Sequence, residues 1–411
     1  MTAPTLAAHS TAPWPYQLLD LADLHAQGWR PTPFRDFVLK VHQRCNLACD
    51  YCYVYTMADQ SWRHRPAMMS TEVRDAVVRR IAEHADTHHL AHLRILLHGG
   101  EPLLAGLPHL LSFVAAIRTA LPAYCRAEVC LQTNGVLLAE ETVASLRDNS
   151  IAVGVSLDGG AADNDRHRRH HDGRGSYQAV HRALTLLNDP RYVSAYAGLL
   201  CTIDPNVDPI ACYEKLLEFA PPTIDFLLPH ANWATRPRLA RDGTGTPYAD
   251  WLVAAFDRWY AAPVQETRIR LFEDLISLTL GGRSRSEQVG LSPVAVVVVE
   301  TDGAVEQVDS LKSAYPGACS TGLNVLTDPF TAALAVPGVV ARQIGREALC
   351  RSCLDCPVHR ICGGGHYAHR YRPADGFRNP SVYCHDLRRL VDHVQGRVTA
   401  DLSRLPAGSH R

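Results

Sequence analysis

The sequence predicts an α/β fold, a partial (β/α)6 barrel followed by a small, cluster-binding C-terminal domain. Three observations predict it. Apolar runs of strand length alternate with amphipathic stretches of helix length from Phe34 to Tyr260. The alternation stops near Arg268. Beyond it, Cys350 to Cys384 is crowded with Cys, Gly, Tyr and Arg and has little periodicity, as expected of a lobe organised by ligands.

Residues 1–33, rich in Ala, Pro and Thr, read as an extended N-terminal arm over the first domain. Strand-like runs follow at 37–42, 93–98, 128–133, 151–157, 196–203 and 223–228. Helix-like stretches lie after them at 71–85, 108–121, 140–148, 176–187, 209–219 and 248–260. Right-handed βαβ crossovers wind such units into a parallel sheet. Six units are too few to close an eight-stranded barrel, which leaves an open side. After the barrel (34–265) comes the C-terminal domain (266–395). Pro293–Glu300 and Thr301–Val308 read as a hairpin with Asp302-Gly303 in its turn. Residues 396–411 form a tail.

Composition narrows the partners. With 411 residues, 46% of them hydrophobic, and a net charge of -1, nothing suggests disorder, nucleic-acid binding or a membrane surface. Only Lys40, Lys215 and Lys312 are lysines. Met1 to Pro15 lack a basic n-region and a continuous apolar core, and no apolar run approaches the ~18 residues of a membrane span. A cytoplasmic location is expected, where 13 cysteines point to metal or catalytic thiols more than to disulfides.

The chemistry begins at Cys45-Asn-Leu-Ala-Cys49-Asp-Tyr-Cys52, on the loop leaving the first strand. Parallel α/β folds place their chemistry at that end. Three thiolates hold three irons of a cubane cluster that normally takes four ligands, leaving one iron open. A partial zinc site is the plainer alternative. Tyr51 is either a packing residue or a neighbour of the open iron's ligand. Gly99-Gly100-Glu101-Pro102 ends the second strand; its glycines admit a ligand to the backbone, and the Glu101 carboxylate can accept from an ammonium group. Gln132-Thr133-Asn134-Gly135 and Ser156-Leu157-Asp158-Gly159 end the third and fourth strands, and both also fit ordinary turns. Asp165-Arg-His-Arg168-Arg169 is a basic segment that either binds an anion or is solvated. Cys350, Cys353, Cys356, Cys362 and Cys384 form a second cysteine group, for which a zinc ribbon competes with an iron–sulfur cluster. Cys125, Cys130, Cys201 and Cys212 lack ligand spacing and read as packing residues.

The C-x3-C-x2-C triplet with Tyr51 inside it, followed by Gly99-Gly100-Glu101-Pro102, resembles the radical S-adenosylmethionine (SAM) superfamily. The resemblance implies that Cys45, Cys49 and Cys52 bind a [4Fe–4S] cluster whose open iron is chelated by SAM, which the cluster cleaves to a 5′-deoxyadenosyl radical. It implies that Gly99, Gly100, Glu101 and Pro102 meet the amino group of SAM. Thr133, Asn134, Ser156 and Asp158 would meet its ribose and methionine parts, and Arg168 its carboxylate. The C-terminal cysteines resemble a SPASM extension, implying one auxiliary [4Fe–4S] cluster on Cys353, Cys356, Cys362 and Cys384, with Cys350 as an alternative ligand. The chain departs from a full SPASM pattern at His366 and Val308, where that pattern has cysteines; Cys319 and Cys350 are partial substitutes. Asp309 matches a position where the family places a proton-accepting base, though an exposed hairpin Asp would be unremarkable.

Further stretches, among them Val308-Asp-Ser-Leu-Lys312, Cys362-Gly-Gly-Gly365 and Gly376 to Cys384, resemble FxsB-type radical SAM/SPASM peptide maturases. The resemblance implies a precursor-peptide substrate, a cyclophane crosslink between an aromatic ring and a nearby β-carbon, and an electron donor such as flavodoxin or ferredoxin. Oxidation of Ser or Cys, or thioether formation, is the alternative within the same chemistry. A non-catalytic Fe–S or zinc module is the alternative outside it.

Overall fold

The computed structural model describes residues 13–237 and 245–404. Ten strands form one sheet: β1 (Asp36–His42), β2 (His92–Gly99), β3 (Arg126–Thr133), β4 (Ile151–Ser156), β5 (Tyr196–Thr202), β6 (Thr223–Leu227), β7 (Arg268–Ile269), β8 (Val296–Val299), β9 (Ala304–Glu306) and β10 (Ser320–Asn324). Their order is β10-β9-β8-β1-β2-β3-β4-β5-β6-β7. From β1 to β7 each strand runs parallel to the next, with helices in the connections, so the α/β partial barrel expected from the sequence is present. β7 and β10 end the sheet as separate edges, which leaves the barrel open.

The inner strands read as near-continuous apolar runs because both faces are covered. Phe37, Leu39, Val41, Ile95, Leu97, Leu131, Val153 and Val155 have no exposed surface. The covering helices include Thr71–Thr87, Leu107–Ala120, Tyr177–Leu187, Pro209–Leu217 and Pro247–Tyr260. Their starts follow local chemistry: Ser70 accepts from the Val73 N–H and Asp208 from the Ala211 N–H.

Several elements differ from the sequence expectation. The Asp302-Gly303 hairpin forms, but β8 joins the free side of β1 in parallel register, Phe37 beside Val297. The C-terminal lobe therefore continues the barrel sheet across the expected 265/266 boundary. β7 and the helix Arg270–Thr279 extend the barrel side of that boundary, a helix hidden because it follows a two-residue strand. The arm is not extended where it is described. It forms short helices at Pro13–Tyr16 and Leu21–Ala26, and Trp14 packs with Leu311, Tyr315, Tyr367 and Phe377 of the C-terminal lobe. Residues 1–12 and 405–411 lie outside the described residues. The expected tail is instead the end of the helix Cys384–Arg404, whose Leu387, Leu390, Val391, Val394 and Val398 are buried. No described helix is long and apolar enough to cross a membrane.

His84 and His98 are held neutral inside this core. His84, 1% exposed, stacks on Phe34, and burial followed by the charge of His88 lowers its pKa to about 4. Burial and Lys40 lower His98 to about 3. Both folded values lie below that of a free imidazole, about 6.5. Their stabilising effect is thus complete above pH ~6.5 and is lost as pH falls through the window toward 4 and 3. Chemical denaturation at pH 7.5 and 5.0 should show a loss of about 2 kcal/mol per residue, and His84→Gln should flatten that pH dependence. An unchanged dependence in the variant would contradict a neutral buried His84.

Candidate active site

The site grows from the end of β1. Its register with β2 slips between Lys40 and His42, and the chain turns into the cysteine loop. The end of β2 presses on that turn: the Gly100 N–H donates to the His42 carbonyl at 2.9 Å and the Glu101 N–H to the Arg44 carbonyl at 3.0 Å. Only glycine permits this approach. A Cβ at Gly99 would run into the His42 carbonyl oxygen, and one at Gly100 would sit 2.5 Å from the Arg44 carbonyl oxygen.

Glu101 has no exposed surface and accepts three hydrogen bonds. Oε1 receives the Thr133 hydroxyl at 2.7 Å and the Leu103 N–H at 3.1 Å, and Oε2 the Asn134 N–H at 2.9 Å. The carboxylate thus binds the end of β2 to the end of β3. From β3 the Asn134 amide reaches the cysteine loop, donating to Asn46 Oδ1 at 2.7 Å and toward Cys45 Sγ at 3.6 Å. The Leu47 N–H donates to the same sulfur at 3.4 Å. The opposite side of the loop is clamped by the basic segment. Its Arg169 carbonyl accepts from the Ala48 N–H at 2.7 Å, and His171 Nε2 lies 3.0 Å from the Cys45 carbonyl. That segment contains a short helix, Ala161–His167, where the sequence read only a turn.

These elements enclose a cavity of about 260 Å³ walled by Cys45, Cys49, Cys52, Tyr51, Gly99, Gly100, Gln132, Thr133, Asn134, Ser156 and Arg168. Glu101, Pro102 and Asp158 stand behind the wall. Tyr51 donates its hydroxyl to Asp158 Oδ2 and receives Arg168 Nη1 at 2.8 Å. Asp158 Oδ1 accepts the Thr202 N–H at 2.9 Å, so β5 anchors the chain of contacts. Arg168 is 7% exposed and its Nε has no partner. An unmet buried guanidinium donor on the cavity wall suits a carboxylate ligand.

The thiols carry the second test of fit. Burial raises Cys45 to about 12, opposed by the Leu47 N–H, and Cys49 to about 11, opposed by Arg168. Such thiols become thiolates only against a metal charge. A zinc ion bound at about 2.3 Å would hold sulfurs roughly 3.8 Å apart. Among the described residues, no set of three cysteines brings its sulfurs within 4.8 Å of one another.

The C-terminal cysteines converge as well. Cys353 interacts with Cys350 and Cys362, and Cys384 with Cys356 and Cys350. Gly363, Gly364 and Gly365 follow at φ 62, 78 and 69°, which wraps their carbonyls around a buried guanidinium. Arg370 donates to Gly363 and Gly365 at 2.6 Å. Five thiols meet where a cubane takes four. Cys319 is elsewhere; its thiol donates to the Val308 carbonyl at 3.3 Å. Cys201 interacts with Cys212 and with no cysteine of either group.

Asp309 is no exposed hairpin residue. It is 7% exposed, Oδ2 pairs with Lys40, and Oδ1 has no partner. It faces a second cavity of about 660 Å³, whose wall shares Tyr53, His98, Leu227, Leu228 and His230 with the first. Sequence reasoning missed Lys40, His98 and His230. Lys40, one of three lysines and set inside an apolar strand run, was the available signal. His230 follows β6 in an irregular loop and gave none.

Gly100→Ala should destabilise the fold by about 1–3 kcal/mol, because the new methyl has only backbone and the Tyr55 hydroxyl to displace. After anaerobic reconstitution it should also lose iron from the Cys45–Cys52 loop. Wild-type iron content and stability would show that β2 does not brace the loop.

The Radical SAM superfamily pattern matches residues 39–193. The cysteine-type anaerobic sulfatase-maturating enzyme of Clostridium perfringens is 29% identical over 278 residues, covering 64% of this chain and 71% of the relative. The serine-type enzyme of Bacteroides thetaiotaomicron is 26% identical over 393 residues, 88% of this chain and 89% of the relative. Among solved structures, native anSMEcpe with bound AdoMet superposes with a TM-score of 0.77 at 22% identity, over 90% of this chain and all of that one. Streptococcus suis SuiB bound to precursor peptide SuiA gives 0.56 at 14% identity, over 88% and 78%. Residues 39–193 thus carry the radical SAM pattern, and the chain is homologous to the anaerobic sulfatase-maturating enzymes.

Proposed function

We propose that the enzyme oxidises the β-carbon of a residue in a peptide or protein substrate, and that it works in the cytoplasm. The observation carrying this reading is the pair of adjoining cavities, one walled by the cysteine loop and Arg168, the other by Asp309. Cys45, Cys49 and Cys52 would hold the [4Fe–4S] cluster. Arg168 would pair the SAM carboxylate, with Gly99, Gly100, Thr133, Asn134 and Ser156 around the rest. Cys353, Cys356, Cys362 and Cys384 would hold the auxiliary cluster, with Cys350 beside it. When bound, the loop cluster, reduced by an electron donor such as flavodoxin or ferredoxin, and SAM would supply hydrogen-atom abstraction, and the auxiliary cluster would supply an electron sink. The chain itself orients the substrate and takes the remaining proton. Asp309 Oδ1 is the acceptor, since Oδ2 is engaged by Lys40 and Oδ1 is free.

Oxidation of a cysteine or serine follows from the homology to cysteine- and serine-type sulfatase-maturating enzymes. A cyclophane crosslink in a precursor peptide is the second reading. It is favoured because Val308, Asp309 and Ser310, within a stretch resembling the FxsB-type maturases, line the second cavity. Both remove two hydrogens. Tandem mass spectrometry of a peptide co-expressed with the enzyme separates them, since only a crosslink suppresses backbone fragments between the joined residues. An unmodified mass with every neighbouring short peptide and every sulfatase motif would overturn both.

Asp309→Asn should slow peptide oxidation by at least about a hundredfold while 5′-deoxyadenosine still forms. Equal losses of both products would show that Asp309 does not take the proton. Cys384→Ser should lower reconstituted iron from about eight to about four per chain, and Cys350→Ser should leave it near eight. The reverse pattern would assign Cys350 to the auxiliary cluster.

A further inference from the structure

Three histidines meet where the barrel mouth touches the C-terminal lobe. His230 follows β6; His366 precedes the short turn Tyr367–Arg370, and His369 lies within it. Their ring centroids lie 5.7, 5.9 and 5.0 Å apart, and one ring nitrogen from each lies within 4.8 Å of the other two. His369 is 3% exposed, and neither of its nitrogens has a hydrogen-bond partner. Nδ1 of His230 is buried and equally unpartnered. Burial of an imidazole normally satisfies at least its N–H, so three unmet nitrogens in one place call for a ligand.

We propose that His230, His366 and His369 form a mononuclear site for a borderline divalent metal ion of the zinc type, separate from both iron–sulfur clusters. Three neutral imidazoles are a donor set that such ions take, with a fourth position left open. Metal–nitrogen bonds near 2.0–2.1 Å need the donors about 3.3 Å apart, a closure that side-chain rotation supplies. His366 Nδ1 then gives up its long 3.3 Å contact from the Ala368 N–H. The ion's charge is answered nearby, as Asp309 and Glu287 both act on His230. The cations in the neighbourhood are already engaged. Arg342 pairs with Glu287 at 2.8 Å, and Arg370 is held by the glycine carbonyls. The three rings wall the same cavity as Asp309, so the open position faces the substrate space. There a bound ion could hold a substrate carbonyl or carboxylate.

The experiment uses the full chain with its clusters reconstituted anaerobically, incubated with one equivalent of Zn²⁺ and freed of loose metal by gel filtration. Elemental analysis should find about one zinc per chain, and X-ray absorption should show nitrogen neighbours near 2.0 Å without sulfur at 2.3 Å. His369→Ala should lower the retained zinc at least about tenfold with iron and the circular dichroism spectrum unchanged. His230→Gln, at a more exposed position, should do the same if His369→Ala fails to fold. Zinc below a tenth of an equivalent in the wild type, a sulfur-bound zinc, or zinc undiminished in a folded variant would each overturn the site.

Discussion

A carboxylate with no exposed surface, Glu101, is the contact on which the rest of the site depends. Burial raises its pKa, and the Asn134 N–H, Thr133 hydroxyl and Leu103 N–H work against that shift. A buried carboxylate is costly unless its oxygens are fully bonded, so the donors must arrive together. Their arrival fixes the ends of β2 and β3 relative to each other. Once those ends are fixed, Gly100 and Glu101 press on His42 and Arg44, and Asn134 steadies Cys45. The strand ends thus shape the cysteine loop. Glu101 stands behind the cavity wall and braces it.

A second set of buried charges sets how the C-terminal lobe meets the barrel. Lys312, 1% exposed, bonds Glu300 at 2.8 Å and Glu306 at 3.0 Å, and Arg65 reaches both carboxylates from the loop beyond the cysteines. Burial would raise Glu300, yet Lys312, Arg65 and Lys40 hold it down at about 2. Burial, with the neighbouring Glu300 charge, pushes Glu306 up in spite of Lys312. Buried networks of this kind add little net stability, but a wrong register would leave charges unpaired. They lock the β8–β9 hairpin against the cysteine loop's far side. Asp309 follows β9 directly, and Lys40 from β1 holds one of its oxygens. Asp309 is therefore positioned by both halves of the molecule.

Much of this was legible in the sequence, and the reasons are physical. Apolar runs of strand length mark six barrel strands, and a cysteine spacing that suits a metal marks the loop. The Asp302-Gly303 turn marks the hairpin. What escaped notice depends on contacts between distant segments. Nothing local says that β8 pairs with β1, since a four-valine run fits any buried edge. The helix Ala161–His167 is polar and short, so it reads as a turn, yet it delivers Arg168 to the cavity. His230 sits in an unpatterned loop, and its neighbours His366 and His369 come from more than a hundred residues away. Lys40 was readable as an anomaly in an apolar strand, though its partner Asp309 was not.

We propose that the Cys45–Cys52 loop, braced by Glu101 and faced by Arg168, carries an iron–sulfur cluster with one open iron that activates SAM. The direct measurement is 5′-deoxyadenosine formed from SAM by the anaerobically reconstituted enzyme under a strong one-electron reductant, beside the same chain carrying Cys49→Ala. The account predicts the nucleoside in the wild type, none above background in the variant, and about four irons fewer in the variant. Zinc in place of iron on the loop, with no nucleoside from the wild type, would contradict it.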